Sequence, residues 1–438
     1  MIPDTRSAGL AVPTGGRASG RLVVPPSKSV THRQLALALV ARRPVEVLRP
    51  LRAEDTALFL AALRRLGWEV DEPEGGERVH LVPPARPPDS AELFCGNAGT
   101  LLRFLVALTA TVPGRWTLDG TARLRERPVG PLAEALARLG VGIEWHGAAG
   151  HPPLTVLGGT LEGGETTLDA GESSQYLSAL LLAALAARAP TRLHVVALTS
   201  EPYVDLTLDL VRQWGGRVER DGASFTVYPG LVPPASVSVE GDWSAAAYPA
   251  AAAALTGGEV TLAGLRRFSA QGDRAFLDLL AEMGAQVEWT GEEVTVRGGG
   301  ALRAVDADLA ALPDQVPTLA AVAPFARGTT RIRNVPHLRI KESDRLAAMA
   351  SELARVGVPV EELPDGLVVP GCWADALPPS TPVTVDSWGD HRIAMSLALV
   401  GLRRPGIVVA RPEVVGKSYP GFWDDLLGLL APAGGEGR

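Results

Sequence analysis

The sequence predicts an α/β protein of two domains, built from six copies of a βαβαββ repeat with three copies in each domain. Three observations predict this fold class. The chain of 438 residues is too long for one ordinary hydrophobic core. Amphipathic helical segments recur at intervals of about 70 residues, and helices that are apolar on nearly every face recur between them. A repeat of that size buries its apolar face only against other copies of itself.

A surface helix is predicted in each repeat from an amphipathic segment that ends at a glycine and precedes a short alternating strand. One further interval of about 70 residues, counted from the fifth of these helices, leads to the last predicted helix, Phe422–Leu430. The spacing therefore gives six repeats. Five glycines mark the earlier helix ends: Gly67, Gly140, Gly215, Gly284 and Gly357.

A buried helix is predicted in each repeat because these segments lack a polar face. Each of them follows a polar loop, so a chemically active loop and a buried helix recur as a pair. The six segments span residues 34–41, 101–110, 176–187, 245–255, 319–325 and 393–402.

The domain boundary is predicted near residue 240, after a proline-rich stretch at 231–235. Residues 9–20 are expected to add a strand to the sixth repeat. The first domain is therefore predicted to span 21–240, and the second to combine 1–20 with 241–438.

Composition argues against several classes of protein. The net charge of −7 argues against nucleic acid or an anionic membrane surface as the main partner. No segment has the makeup of a membrane span, and residues 1–12 lack the pattern of an export signal. Two cysteines, Cys95 and Cys372, make no disulfide framework and fit a reducing compartment. We expect a cytoplasmic protein that acts on small molecules.

Lysine is almost absent from this chain. Only Lys28, Lys341 and Lys417 remain among 42 basic residues, and each lies in a polar loop before an apolar helix. An ammonium is a compact charge whose pKa can be tuned, which a guanidinium is not. We interpret the three lysines as functional, the alternative being a chance remnant of a drift in composition.

The polar loops lie at predicted helix N-termini, where unpaired N–H groups and the helix dipole favour anions. The loop at 28–33 adds positive charge and donors, and the loop at 173–175 supplies neutral donors suited to phosphate. Any one such loop is more often only a helix cap. Six of them, rich in basic and hydroxyl side chains, predict several anion sites. The ligand is then one polyanion or two anions.

Two acidic residues, Asp314 and Glu342, stand among these cationic loops. A carboxylate there weakens the attraction for an anionic substrate, so we assign it another task. General acid–base catalysis is the leading hypothesis. The alternative is a salt bridge with Lys341 or Arg345.

Eight short motifs follow one another along nearly the whole chain: Pro25-Pro-Ser-Lys-Ser-Val-Thr-His-Arg33, Gly96-Asn-Ala-Gly-Thr100, Arg123 with Glu126-Arg-Pro128, Ser173-Ser-Gln175, Ser200-Glu-Pro-Tyr203, Lys341-Glu-Ser-Asp-Arg345, Asp390-His-Arg392 and Lys417-Ser418. In that order they resemble the 5-enolpyruvylshikimate-3-phosphate synthases. The resemblance implies an inside-out α/β barrel of six βαβαββ units in two domains. It also implies transfer of an enolpyruvyl group from phosphoenolpyruvate to the 5-hydroxyl of shikimate 3-phosphate, in the shikimate pathway to chorismate and the aromatic amino acids.

The resemblance implies a role for each matching residue. Catalysis is assigned to Lys28, Asp314 and Glu342. Shikimate 3-phosphate is expected to bind Lys28, Ser29, Arg33, Ser173, Ser174, Gln175, Ser200, Tyr203, Asp314, His337 and Lys341. Phosphoenolpyruvate is expected to bind Lys28, Asn97, Gly99, Arg123, Gln175, Arg345, Arg392 and Lys417. No metal or organic cofactor is implied, and we expect a monomer.

Some positions depart from the family's pattern. Gly99 matches members that are sensitive to glyphosate, but Phe104 stands where many members have Pro or Leu, which leaves the degree of sensitivity open. Glu201 replaces a residue that is often basic, and His337 replaces an Asn found in some members.

Two alternatives remain. The related UDP-N-acetylglucosamine enolpyruvyl transferases carry a characteristic Cys near the position of Arg123, and residues 120–130 contain none. A non-catalytic anion-binding homologue is the second alternative, and the retention of Lys28, Asp314 and Glu342 argues against it.

Overall fold

The computed structural model describes residues 9–73, 75–376 and 381–430. The ends of the predicted second domain, residues 1–8 and 431–438, lie outside them. Its strands are β1 Leu10–Ala11, β2 Gly20–Val23, β3 Val45–Leu48, β4 Glu69–Asp71, β5 Arg78–Val82, β6 Ser90–Phe94, β7 Gly114–Asp119, β8 Gly142–Trp145, β9 Leu154–Gly158, β10 Gly164–Ala170, β11 Thr191–Leu198, β12 Arg217–Asp221, β13 Ser224–Tyr228, β14 Ser236–Ser238, β15 Glu259–Ala263, β16 Gln286–Thr290, β17 Glu293–Arg297, β18 Asp306–Asp308, β19 Thr329–Arg333, β20 Glu361–Leu363, β21 Gly366–Pro370, β22 Val383–Asp386 and β23 Ile407–Ala410.

Its α-helices are α1 Lys28–Ala41, α2 Glu54–Arg65, α3 Gly99–Thr109, α4 Ala122–Arg125, α5 Gly130–Arg138, α6 Ser174–Ala184, α7 Pro202–Gln213, α8 Trp243–Thr256, α9 Phe276–Met283, α10 Val316–Val322, α11 Arg345–Arg355, α12 His391–Arg403 and α13 Phe422–Leu430. Five 3₁₀ segments complete the secondary structure, at Gly272–Ala275, Pro313–Gln315, Ala323–Phe325, Pro336–Ile340 and Pro412–Lys417. Within the described ranges, no helix is long and apolar enough to cross a membrane.

The strands form five four-stranded sheets and one three-stranded sheet, and the four-stranded sheets share one topology. In the sheet β6-β7-β9-β8, strands β6 and β7 are parallel, and the hairpin β8–β9 adds antiparallel pairs. A buried helix joins the two parallel strands, and a surface helix leads into the hairpin. This order is the predicted βαβαββ repeat.

The chain divides into two compact units. The first unit is Pro26–Glu240, and the second unit is Met1–Pro25 with Gly241–Arg438. The second unit continues to Pro25, past the predicted limit at residue 20, because β2 pairs in parallel with β15 of that unit. In the first unit the equivalent edge position belongs to β14, which pairs in parallel with β3.

Each unit has a core of three buried helices. In the first unit α1, α3 and α6 contact one another, and in the second unit α8, α10 and α12 do so. Every residue of α8 except the last is buried, which an Ala-rich helix permits because its neighbours approach closely. The prediction of a buried helix in each repeat is confirmed. The fifth ends early, at Val322, because Pro324 lacks an N–H donor and disfavours a helical residue before it.

Candidate active site

In the first unit, the start of α1 brings a lysine against a carboxylate. The side chain of Ser27 caps the helix by accepting a hydrogen bond from the Val30 N–H. Lys28, the first residue of the helix, places its Nζ 3.2 Å from Oδ2 of Asp55, whose side chain is almost fully buried. The lysine is thereby held at a helix N-terminus, where its charge adds to the positive end of the dipole.

Arg33 is buried one turn further along α1, and neutral oxygen atoms hold its guanidinium. Its Nε donates to Thr207 Oγ1 at 2.8 Å, and its Nη1 donates to the Ser29 carbonyl at 3.0 Å. Its Nη2 donates to the Tyr203 carbonyl at 2.9 Å and to Ser178 Oγ at 3.4 Å. Burial lowers the pKa of Arg33 to about 10, so the group remains charged at neutral pH.

Phe104 lies beneath this arginine. Its ring is fully buried in α3, and the Arg33 guanidinium carbon is 5.5 Å from the ring centroid. The residue that departs from the family's pattern thus contacts a predicted ligand of shikimate 3-phosphate, in a cation–π arrangement.

Arg103 was missed by the sequence analysis, although it holds a predicted binding residue. Its Nη1 donates to Gln175 Oε1 at 2.7 Å, and its Nη2 donates to the Pro128 carbonyl at 3.1 Å. The Gln175 amide in turn donates to Thr100 Oγ1 at 2.9 Å. The sequence does contain a signal for this residue, because Arg103 is the one charged residue in the apolar segment 101–110.

A side chain at position 99 would displace the guanidinium of Arg127. A Cβ at this position would lie 2.4 Å from Nη2 of Arg127, which is itself buried. The same arginine donates from Nη1 to the Asn97 carbonyl at 3.1 Å. Arg123 is one-third exposed and pairs with Glu126 at 2.8 Å.

The remaining predicted residues of the first unit lie at the starts of α6 and α7. Ser173 caps α6 by accepting a hydrogen bond from the Gln175 N–H, and Ser174 is the first residue of that helix. Ser200 precedes α7 with a left-handed φ of 51°. Its carbonyl accepts a hydrogen bond from the Tyr203 N–H at 3.1 Å.

In the second unit, one buried arginine binds three carboxylates. Arg345 donates from Nη1 to Asp314 Oδ1 at 2.8 Å, from Nη2 to Glu342 Oε2 at 2.9 Å and from Nε to Asp390 Oδ2 at 2.8 Å. Arg392 donates from Nη2 to the other oxygen of Asp314 at 2.7 Å. The structure therefore brings together four predicted site residues, Asp314, Glu342, Arg345 and Arg392. We call these four residues and Asp390 the acidic cluster.

The two catalytic candidates are thus also salt-bridged, as the alternative interpretation expected. A salt bridge does not remove a carboxylate from acid–base work; it sets the pH at which the group ionises. Burial opposes ionisation of Asp314, but the charges of Arg392, Arg345 and Lys341 outweigh it and hold its pKa below the ordinary value. Asp314 is therefore ionised at neutral pH.

Asp390 is a second residue that the sequence analysis did not assign to the site. It is fully buried, caps α12 through the Arg392 N–H at 2.9 Å and accepts a hydrogen bond from Ser343 Oγ at 3.2 Å. One carboxylate therefore fixes the positions of both arginines, through the side chain of Arg345 and the backbone of Arg392.

His337 and Lys341 come just before Glu342 and Arg345 of the acidic cluster in the sequence. His337 lies in the 3₁₀ segment Pro336–Ile340 and is buried. Burial and the charge of Lys341 lower the pKa of His337 to about 3, so its ring is neutral at neutral pH. Lys417 ends the 3₁₀ segment Pro412–Lys417 and is also buried. Among the described residues, no group of His, Cys, Asp or Glu side chains is arranged to hold a metal ion.

Capping explains part of the loop chemistry. Side chains accept hydrogen bonds from helix N–H groups at the starts of α1, α6, α8, α11 and α12. In three of these helices the capping residue is an aspartate: Asp242, Asp344 and Asp390. The N-terminus of α3 has no side-chain cap, since Ala98 occupies that position.

Each unit is thus an α/β assembly of repeats, with arginines and carboxylates at the starts of its helices. The family model for EPSP synthase (3-phosphoshikimate 1-carboxyvinyltransferase) matches residues 12–426. The chain belongs to this family. The resemblance and the enzyme class predicted from the sequence are confirmed.

The chain is similar to curated proteins and to solved structures over most of its length. It is 44% identical to the 3-phosphoshikimate 1-carboxyvinyltransferase of Syntrophobacter fumaroxidans, over 92% of this chain and 95% of the relative. It is 42% identical to that of Thiobacillus denitrificans, over 95% and 98%. The structure of EPSP synthase from Acinetobacter baumannii superposes with a TM-score of 0.77 at 28% identity, over 96% and 97% of the two chains. The predicted fold is thereby confirmed.

Proposed function

We propose that this chain transfers the enolpyruvyl group of phosphoenolpyruvate to the 5-hydroxyl of shikimate 3-phosphate and releases phosphate. The family match over residues 12–426 supports the reaction. The observation that carries the chemistry is that Asp314 and Glu342 share the buried guanidinium of Arg345. The reaction needs two proton-handling groups, and this cluster offers two carboxylates beside cations that attract anionic substrates.

The residues that we propose for shikimate 3-phosphate are those that match the family's motifs. The hydroxyl and amide donors suit its phosphate, and His337, neutral at neutral pH, can donate to or accept from a ring hydroxyl. Arg33 already makes four hydrogen bonds to neutral oxygens, so its positive charge is not cancelled by a carboxylate. The proposed residues are Lys28, Ser29, Arg33, Ser173, Ser174, Gln175, Ser200, Tyr203, Asp314, His337 and Lys341.

Phosphoenolpyruvate is a small molecule with a carboxylate and a phosphate, and planar arginine forks match both groups. The lack of a side chain at Gly99 lets the backbone approach the ligand closely. The proposed residues are Lys28, Asn97, Gly99, Arg123, Gln175, Arg345, Arg392 and Lys417.

The reaction is an addition followed by an elimination. The 5-hydroxyl oxygen bonds to C2 of phosphoenolpyruvate and loses its proton, while C3 gains a proton and becomes a methyl group. The tetrahedral intermediate then loses phosphate from C2 and a proton from the methyl group. Asp314, ionised and beside two arginines, accepts the hydroxyl proton. Glu342 gives and takes the proton at carbon, and Lys28 stabilises the departing phosphate.

The chain acts as a monomer in the cytoplasm in this proposal, with no cofactor. The activity on a small molecule that the description of its family names is consistent with this setting.

The test is release of phosphate from phosphoenolpyruvate with two acceptors in parallel, shikimate 3-phosphate and UDP-N-acetylglucosamine. Release with shikimate 3-phosphate alone supports the proposal. Release with the nucleotide sugar alone assigns the chain to the alternative transferase. No release with either acceptor, from protein that binds shikimate 3-phosphate, leaves the non-catalytic homologue as the explanation.

A further inference from the structure

A short turn in the second unit connects the starts of two buried helices. The 3₁₀ segment Gly272–Ala275 follows Gln271, whose amide donates to the Gly241 carbonyl at 2.9 Å and accepts from the Trp243 N–H at 3.2 Å. Two residues later, Asp273 accepts a hydrogen bond from Gln315 Nε2 at 2.8 Å. Gln271 thus holds the start of α8, and Asp273 holds the segment before α10.

Asp273 is a buried acid that the proposed reaction does not use. It is 3% exposed, and its partner Gln315 is fully buried. Burial, followed by the charge of Asp314, raises the pKa of Asp273 to about 6. A carboxylate in such a place costs free energy, which an apolar residue would avoid. We therefore look for the benefit of Asp273 in the residue that it holds, Gln315.

Gln315 is the chain neighbour of Asp314. Both lie in the 3₁₀ segment Pro313–Gln315, and the Gln315 N–H closes that segment on the Leu312 carbonyl at 2.9 Å. The side chain of Gln315 points to Asp273, while the side chain of Asp314 reaches the two arginines. The hydrogen bond to Asp273 therefore fixes the piece of backbone from which Asp314 projects.

Asp314 depends on accurate placement. Its two oxygens reach two different guanidinium groups at 2.8 Å and 2.7 Å, and both distances are near the optimum. A shift of its backbone by a fraction of an ångström lengthens at least one of them. A shift of about 1 Å at a reacting group costs on the order of 100-fold in rate.

We propose that Asp273 is a positioning residue that sets the placement of Asp314 through the side chain of Gln315. Asp273 has no substrate contact in this proposal. The inference rests on the proposed role of Asp314 in binding shikimate 3-phosphate and accepting its hydroxyl proton.

The test compares substitutions that keep or remove the hydrogen bond. Asp273→Asn retains an acceptor oxygen for Gln315, and we expect its affinity for shikimate 3-phosphate and its kcat to stay near those of the unsubstituted enzyme. Asp273→Leu fills the site without an acceptor, and we expect on the order of 10- to 100-fold loss in kcat, with weakened shikimate 3-phosphate binding measured by calorimetry. Gln315→Met removes the donor instead and should give the same losses if Asp273→Leu does not fold.

A double-mutant cycle separates positioning from general damage to the fold. If Asp273 acts through Asp314, Asp273→Leu or Gln315→Met should weaken shikimate 3-phosphate binding in the unsubstituted enzyme and have little further effect in the Asp314→Ala background. An equal loss of affinity in both backgrounds overturns the inference, and so does normal binding and turnover by both variants. If Asp314→Ala alone binds and turns over normally, the proposed role of Asp314 fails instead.

Discussion

Arg33 in the first unit and Arg345 in the second are both buried, but the charges of their partners differ. In the first unit, Arg33 bonds to hydroxyl and carbonyl oxygens, and these neutral partners do not cancel its positive charge. In the second unit, Arg345 lies among three carboxylates. The neutral partners of Arg33 leave a positive potential that favours anions, whereas the arginines around Asp314 hold the pKa of that carboxyl below its ordinary value. One repeated scaffold thus surrounds its arginines with two kinds of partner.

The largest expected effect is on turnover, and it belongs to the second unit. Asp314→Ala removes the proposed acceptor of the hydroxyl proton, and we expect kcat for phosphate release to fall by about 10²- to 10⁴-fold. The matched control is Glu144→Ala in the first unit, which removes a carboxylate that is also held by an arginine, Arg115, but is not a proposed site residue. A loss of kcat from Glu144→Ala as large as that from Asp314→Ala would contradict a specific role for Asp314.

The second expected effect is on stability. Arg345→Met leaves three carboxylates without their shared cation, and we expect the free energy of unfolding of the second unit to fall by about 3–5 kcal/mol. Arg33→Met leaves only neutral acceptors unpaired, at a cost of about 1–3 kcal/mol in the first unit. Denaturant-dependent amide hydrogen exchange, resolved by peptide, assigns each loss to its unit. Equal losses would show that the charge of the partners does not matter.

The third expected effect is on phosphoenolpyruvate binding in the first unit. In Gly99→Ala the new Cβ would meet the Arg127 guanidinium at 2.4 Å, so the arginine must move and weaken its bond to the Asn97 carbonyl. We expect the KM for phosphoenolpyruvate to rise by about 10- to 100-fold. Gly428→Ala is the control, since nothing lies within 4 Å of the added carbon. An unchanged KM in Gly99→Ala would mean that this loop adapts without cost.

Much of the fold follows from local patterns in the sequence. Buried helices lack a polar face, and surface helices end at glycine, so their period of about 70 residues gives the repeat and its order. The positions of β2 and β14 could not be predicted in this way. Both are short strands without a distinctive sequence, and their pairing with β15 and β3 depends on where the chain passes between the units. Side-chain periodicity carries no information on which edge an isolated strand joins.

The residues of the candidate site also differ in whether the sequence could predict them. Residues in polar loops at helix starts, such as Lys28 and Asp314, stand out because charge interrupts an apolar pattern. Arg103, Asp273 and Asp390 lie within the protein, and their side-chain partners Gln175, Gln315 and Arg345 are 42 to 72 positions away in the sequence. Asp390 also caps α12 through the Arg392 N–H. Such pairings depend on helix packing, which a single sequence does not encode at fixed spacing.

The smallest expected effect is the pH dependence of stability, and it should be confined to the second unit. Burial and the charge of Lys341 lower the pKa of His337 to about 3 in the folded protein. Between pH 6.5 and 3 the unfolded chain therefore binds a proton at His337 that the folded protein does not bind. The contribution of the neutral ring to the free energy of unfolding is thus fully present above pH 6.5 and is lost as the pH falls toward 3. At pH 5 the loss amounts to about 2 kcal/mol.

His337→Asn removes the titrating ring, so its unfolding free energy should fall less between pH 7 and pH 5 than that of the unsubstituted protein. His194→Asn in the first unit, where the side chain is 40% exposed, is the matched control. Unfolding in urea at the two pH values, followed by amide exchange in each unit, measures the difference. If the His337 and His194 substitutions change the pH dependence equally, burial beside Lys341 does not set the acid sensitivity of the second unit. If acid destabilises only the first unit, the prediction that the pH dependence of stability is confined to the second unit is wrong.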